Sequence, residues 1–200
     1  GTITKVLVRP PLPRGVYMYG GVGRGKSFLM DAFFQAVPLH RKTRLHFHEF
    51  MREVHRELQD LKGVVNPLDE LGKRIARRFR LICFDEFHVA DVTDAMILHR
   101  LLDALYRNRV SIITTSNFKP DDLYPNGLHR DRILPAIALL KDKLEVINVD
   151  NGVLSLALFV QTTVGHPATI SSTPLLPDRP GGLRIVAILA ALVACVGLLD

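Results

Sequence analysis

Along residues 15–150, compact apolar runs alternate with longer stretches of mixed apolar and polar residues. The apolar runs at 16–19, 43–48, 81–84, 110–114 and 144–149 predict strands. The stretches between them predict helices over 26–36, 49–61, 67–79, 93–107 and 128–140. Asp91 and Thr93 can cap the helix that carries Met96, Ile97, Leu101, Leu102 and Leu105. Asn66-Pro67 opens the preceding one, with proline at its first turn. Strands alternating with helices predict an α/β fold, a parallel sheet flanked by helices. There is no internal repeat.

The pattern changes at Gly152. Residues 153–200 hold only Asp178, Arg179, Arg184 and Asp200 as Asp, Glu, Lys or Arg. A stretch rich in Pro, Ser, Thr and Gly, 163–182, separates two apolar segments. The second, Ile185 to Leu199, would span about 22 Å as a helix, short of the ~30 Å hydrocarbon core of a bilayer. A buried or disordered hydrophobic tail is expected, with a membrane tail as the alternative. The expected organisation is an N-terminal linker remnant at 1–14, a core at 15–152 and an apolar tail at 153–200.

Composition adds little to this picture. The chain of 200 residues is 48% hydrophobic and 23% charged, ordinary for a globular protein. Its formal net charge of +6 permits an acidic partner without demanding nucleic acid. Much of that charge sits in Lys73, Arg74, Arg77, Arg78 and Arg80, which reads as a solvated helix face near a subunit boundary. Cys83 and Cys195 do not make a disulfide framework, and Cys83, in an apolar run, reads as a small core residue. A reducing compartment is expected. The N-terminus shows no secretory signal, and a start at Gly1 suggests a fragment.

The chemistry begins at Gly20-Gly21-Val22-Gly23-Arg24-Gly25-Lys26-Ser27, which fits the phosphate-binding loop Gly-x-x-x-x-Gly-Lys-Ser. Glycines let the backbone turn tightly, so that successive N–H groups point at phosphates. The following helix turns its positive end to the same anion. Lys26 would reach the β- and γ-phosphates, and Ser27 would hold Mg²⁺. The context, a strand before the loop and a helix after it, is the one the motif requires.

A second apolar strand, Leu81-Ile82-Cys83-Phe84, ends in Asp85-Glu86. Asp85 would orient the Mg²⁺ shell, and Glu86 would activate the attacking water as a general base. A third, Ser111 to Asn117, ends in small polar residues. Asn117 could hold the attacking water, or could simply be a turn residue at a strand end.

Taken with His46-Phe47-His48-Glu49-Phe50-Met51, Cys83-Phe84-Asp85-Glu86-Phe87-His88-Val89, Asp94-Ala95-Met96-Ile97-Leu98, Thr114-Thr115-Ser116-Asn117 and Leu123-Tyr124-Pro125-Asn126-Gly127-Leu128, these motifs resemble the ZapE family of AAA+ ATPases and its mitochondrial AFG-type relatives. The match covers residues 15–150 or so. The resemblance implies an ATP-hydrolysing ring, a hexamer where complete, that acts on other proteins. Bacterial members are tied to cell division and the tubulin-like protein FtsZ, mitochondrial members to quality control at the inner membrane. It implies ATP and Mg²⁺ as cofactors. Lys26 and Ser27 would be phosphate and Mg²⁺ ligands, Asp85 the Mg²⁺ acid, Glu86 the base and Asn117 the sensor that places the water. Arg130 and Arg132 follow the Leu-Tyr-Pro-Asn-Gly-Leu turn, where such proteins place the arginine that reaches a neighbour's γ-phosphate. Arg130 is slightly preferred, and a surface arginine on a helix is the alternative.

The resemblance also places a central-pore loop at His46–Met51, where Phe50 and Met51 could grip a polypeptide. Core packing is the rival reading for Phe50. On the strand expected here, His46 and His48 share one face and Phe47 takes the other. With His55 they show no metal-ligand pattern. The resemblance lapses at both ends. The family's N-terminal segment is short or missing, and after Val149-Asp150-Asn151-Gly152 nothing matches its helical lid. A frame change or truncated copy is one reading, and a different domain or tail anchor the other. Loss of the lid would weaken nucleotide binding and ring assembly. A bacterial cytoplasm is the expected location, with a mitochondrial matrix as the alternative. Nucleic acid is not the expected partner, although a helicase-loader-like, nucleic-acid-associated ATP switch remains the runner-up, carried by Lys73–Arg80. An inactive remnant is the third reading. Membrane contact would come through association or the 185–199 tail.

Overall fold

A computed structural model describes residues 14–149 together with Leu12. The expected linker at 1–14 lies almost wholly outside these residues. The tail at 153–200, its 185–199 segment and Cys195 lie entirely outside them. Five strands, β1 (Gly15–Tyr19), β2 (Lys42–His46), β3 (Leu81–Asp85), β4 (Ser111–Ser116) and β5 (Leu144–Asn148), form one parallel sheet in the order β2-β3-β4-β1-β5. Between them run α1 (Lys26–Ala36), α2 (Phe47–Asp60), α3 (Pro67–Arg78), α4 (Val92–Arg107) and α5 (Leu134–Lys143).

A sheet covered on both faces needs strands that are apolar on both sides. All five residues of β3 and all six of β4 are buried. Alternate side chains then serve two cores. Val16, Met18, Leu81, Cys83 and Ile113 pack with Leu29, Met30 and Phe33 of α1 on one face. Tyr17, Ile82, Phe84 and Ile112 pack with residues of α2, α3, α4 and α5 on the other. The edge strands β2 and β5 are only partly buried, as their mixed composition requires.

Local signals account for the helix starts. The Asp91 side chain accepts a hydrogen bond from the Thr93 backbone at 2.6 Å and caps α4, with Thr93 inside the helix. Pro67 occupies the first turn of α3, with Asp69 and Glu70 beside it and Arg77 and Arg78 in the last turn, matching the helix dipole. The preceding Asn66 makes no side-chain cap. Helices α3 and α4 meet closely at Gly72. A Cβ there would stand 2.7 Å from Ala104 Cβ, which excludes any larger side chain.

Two predicted elements are corrected. The strand expected over 43–48 stops at His46, because its partner β3 ends at Asp85 and offers nothing further to pair with. Phe47 begins a helix instead, and its ring packs 4.2 Å from that of Phe87 and 5.6 Å from that of Phe84. His46 and His48 therefore do not share a strand face. The helix expected over 128–140 begins at Leu134. His129 takes a left-handed conformation (φ 55°), Arg130–Arg132 form a single 3-10 turn, and Pro135 suits the first turn of α5. Phe50 and Met51, weighed as pore residues, are buried on α2, 7% and 2% exposed, so core packing is their role in this fold.

Candidate functional site: a phosphate-loop cleft

The loop between β1 and α1 cannot be built from ordinary residues. Gly23 (φ 77°) and Gly25 (φ 80°) both lie in the left-handed region, and Gly25 caps α1 without a side chain. Lys26, the first residue of α1, is only 8% exposed. Its ammonium folds back over the loop and donates to the carbonyls of Gly20 at 2.6 Å and Gly21 at 2.7 Å. Val22, Gly23, Arg24, Gly25, Lys26 and Ser27 form one wall of a cleft of about 390 Å³. Glu86, Thr115, Ser116 and Asn117 also line it. The structure thus brings together residues from the ends of β1, β3 and β4.

The far wall is fixed by a web of bonds between the turns after β3 and β4. Glu86 has φ 54°, a left-handed conformation uncommon for a residue with a side chain. Its N–H donates to Thr115 Oγ1 at 3.2 Å, and the N–H of Phe87 donates to the Thr115 carbonyl at 2.7 Å. Ser116 Oγ donates to the Phe87 carbonyl at 2.7 Å and accepts from the Phe118 N–H at 3.1 Å. Tyr17, buried in β1, donates its hydroxyl to the Phe118 carbonyl at 2.9 Å. Burial pushes that phenol well above its ordinary range. Glu86 and Asn117 themselves stay exposed, so their side chains face the cleft opening on a rigid base.

Asp85 lies deeper, 8% exposed, held by groups of opposite character. Arg44, from β2, donates through Nε to Asp85 Oδ2 at 2.6 Å, and Thr115 Oγ1 donates to Oδ1 at 3.4 Å. The same guanidinium reaches Asp31 Oδ1 on α1 at 2.7 Å and the Ser27 carbonyl at 3.2 Å. Burial alone would favour neutral Arg44. The hydrogen bond and charge of Asp85, with the charge of Asp31, outweigh it and raise its pKa. Arg44 therefore ties β2, β3 and α1 together directly behind the loop. His46, at the end of β2, places Nδ1 3.7 Å from Glu86 Oε2.

Arg44 was not singled out from the sequence. His46, Thr115 and Ser116 stood in motifs that carry the resemblance and Tyr17 in the strand before the loop, but none was given a place at the cleft, because only the parallel register brings them there. Arg130 and Arg132 do not line the cleft of their own chain. Arg130 Nη2 donates to the Asp121 carbonyl at 2.7 Å, whereas Arg132 is exposed beside Asp131. His55 Nε2 lies 2.6 Å from Asp94 Oδ1 across α2 and α4. Cys83 is fully buried, and desolvation pushes its thiol up to about 12.

A parallel five-stranded sheet with a glycine loop at the end of its inner strand β1 defines a phosphate-loop core of the AAA+ type. Solved structures share this fold. Domain III of the Thermotoga maritima replication initiation protein DnaA is 16% identical, with a TM-score of 0.52 over 92% of this chain and 72% of its own. The DnaC helicase loader is 14% identical, with a TM-score of 0.50 over 70% of this chain and 80% of its own. The chain belongs to the AFG1-like ATPase family, whose model matches residues 3–156. The cell division protein ZapE of Escherichia coli (strain K12) is 52% identical over 140 residues, which is 70% of this chain and 37% of that protein. Lactation elevated protein 1 homolog B of Danio rerio is 40% identical over 156 residues, 72% of this chain and 31% of its own. The chain thus spans about a third of the length of the relatives it matches.

Proposed function

We propose that this chain is the catalytic core of an Mg²⁺-dependent ATPase that works in a homo-oligomeric ring, a hexamer, on protein substrates. The observation that carries this reading is the shared cleft, where the glycine loop faces Glu86 and Asn117. Backbone N–H groups of residues 22–27 and the ammonium of Lys26 would hold the phosphates. Lys26 would exchange its two loop carbonyls for phosphate oxygens on binding. Glu86 would take the proton of the attacking water, and Asn117 would align that water. Ser27 and Asp85 offer hard oxygen donors, the set that suits Mg²⁺. The ion, when bound, neutralises charge on the phosphates. Arg44 keeps the Asp85 carboxylate oriented from behind.

Of the two arginines, Arg132 is the better placed to reach a neighbouring subunit, since Arg130 is committed to the Asp121 carbonyl. An arginine supplied in this way offsets charge developing on the transferred phosphoryl group. The likeness to a cell division protein supports a role in division. FtsZ as substrate and a bacterial cytoplasm are carried by the resemblance of the motifs. No helix among the described residues is long and apolar enough to cross a membrane.

The test is ATP hydrolysis by the chain as given. Turnover should require Mg²⁺ and vanish in Lys26→Ala. Glu86→Gln should retain nucleotide binding, measured with a fluorescent ATP analogue, while turnover falls. Failure of the chain to bind the analogue would overturn the reading.

A further inference from the structure

The cationic run of α3 divides in the folded protein. Arg74 turns to Glu70 at 3.8 Å and Arg78 to Glu57 at 3.6 Å. Lys73, Arg77 and Arg80 instead face the amino-terminal edge of the sheet, where Arg41, Arg107 and Arg109 join them. The six line one concavity of about 370 Å³, close in size to the nucleotide cleft and at the opposite end of the strands. They come from four separate places: the residue before β2, the last turns of α3, the residue before β3 and the end of α4 with its turn.

Gathering six cations opposes folding unless something offsets them. Part of the offset is internal. Arg107 contacts Asp69 at 2.6 Å and Asp103 at 2.8 Å, and Lys73 lies 4.0 Å from Glu70. Arg80 donates to the Asn108 carbonyl at the end of α4, and the carbonyl ends of α3 and α4 favour cations. Arg41 and Arg77 line the same concavity, and no ion pair or side-chain hydrogen bond joins either to another described residue. Guanidinium forks turned into a polar concavity match phosphate oxygens in charge and geometry. Among the described residues no aromatic side chain lines it, so these residues offer no platform for stacking bases. Its concave shape does not suit a flat membrane surface.

We propose that this concavity is a second anion site, which binds a small polyphosphate-bearing ligand at the edge of the sheet remote from the nucleotide cleft. The test is titration calorimetry with sodium tripolyphosphate on the chain carrying Lys26→Ala, so that the phosphate loop lacks its lysine. One saturable site is expected. Arg41→Ala with Arg77→Ala should weaken it about tenfold or more, while Arg74→Ala with Arg78→Ala changes it less than about twofold. Arg77→Gln alone, at an exposed position, repeats the measurement should the first pair fold poorly. Absence of saturable binding overturns the proposal, as do equal losses in the two double variants. Tripolyphosphate binding that survives Arg41→Ala with Arg77→Ala and is displaced by an ATP analogue belongs to the loop and also overturns the proposal. Binding dependent on Arg41 and Arg77 that is seen with a short single-stranded oligonucleotide or phosphatidylserine vesicles, but not with tripolyphosphate, overturns it in favour of that macromolecule.

Discussion

On the function proposed above, attraction for an anion at the carboxyl ends of β1 and β3 comes from backbone N–H groups shaped by Gly23 and Gly25, with one lysine held in reserve by two carbonyls. At the amino-terminal edge it comes from side chains alone, six of them, around a concavity of similar volume. The first is proposed to do chemistry on what it binds, through Glu86 at the cleft and Asp85 behind it. The second is lined by no acid and no nucleophile among the described residues, and is proposed to bind alone. The difference teaches why one is written contiguously and the other is not. Backbone geometry must be specified by neighbouring residues, whereas cations can be delivered from anywhere that the fold converges.

The largest effect should separate the two ends outright. Glu86→Gln is expected to lower turnover by ~10²–10⁴-fold, the usual contribution of a general base, with analogue binding retained. Arg41→Ala with Arg77→Ala should leave turnover unchanged. Single-turnover hydrolysis measured on both breaks the comparison if the arginine pair loses as much as Glu86→Gln.

The next test strikes the strand that joins the two ends. Phe84 in β3 is fully buried, with ring centroids 4.8 Å from Phe50 and 5.6 Å from Phe47. Phe84→Ala should cost about 3–5 kcal/mol by urea unfolding. Phe50→Ala should fall in the same range if Phe50 packs in the core. A Phe50→Ala chain of parental stability that fails only in substrate handling would instead restore the pore reading.

Arg44 and Arg107 make a matched pair for the third test. Each contacts two carboxylates, one behind the loop and one at the opposite edge. Arg44 and Asp85 are largely removed from water, with side chains 22% and 11% exposed. Removing Arg44 leaves a nearly buried carboxylate without its charged donor, a loss of about 1–3 kcal/mol. Arg107 is exposed, and solvent screens its pairs, so Arg107→Ala should destabilise less. Urea unfolding of Arg44→Ala and Arg107→Ala decides the order, and the reverse order would mean that the edge, not the cleft, is the more tightly built end.

These residues also show what could be read in advance. The loop, the strand ending in Asp85-Glu86 and the length of α1 were legible because each is set by contiguous residues with fixed spacing. The α/β class followed from alternating blocks. Helix α2 began two residues earlier than the strand pattern suggested, because only the end of β3 determines where β2 loses its partner. Arg44 looked like an ordinary polar residue of a strand, and its three acceptors lie on two other elements. Thr115 and Ser116 were visible as small polar residues after an apolar run, but their partners in the turn after β3 were not. The cationic run on α3 was legible as charge, yet which of its members turn toward Arg41 depends on the crossing of α3 and α4 at Gly72.

The smallest effect concerns α4, whose two ends face the two ends of the sheet. Asp91 caps its start, and Arg107 closes its last turn. The hydrogen bonds from Thr93 to the Asp91 carboxylate lower its pKa below the ordinary 3.8. A carboxylate depressed in the folded state stabilises it above the unfolded pKa, and that contribution is lost as pH falls through the lowered value. Asp91→Ala should therefore lower the thermal midpoint modestly at neutral pH. The gap between variant and parent should narrow at a pH below the lowered value, to the part that a neutral acceptor supplies. Asp91→Asn, which keeps an acceptor without the charge, should fall between the two at neutral pH and show no such narrowing against Asp91→Ala. Thermal unfolding across that range measures how far the charge adds to the cap. A gap that stays unchanged at low pH would assign the effect to the neutral acceptor and the helix start rather than to the charge.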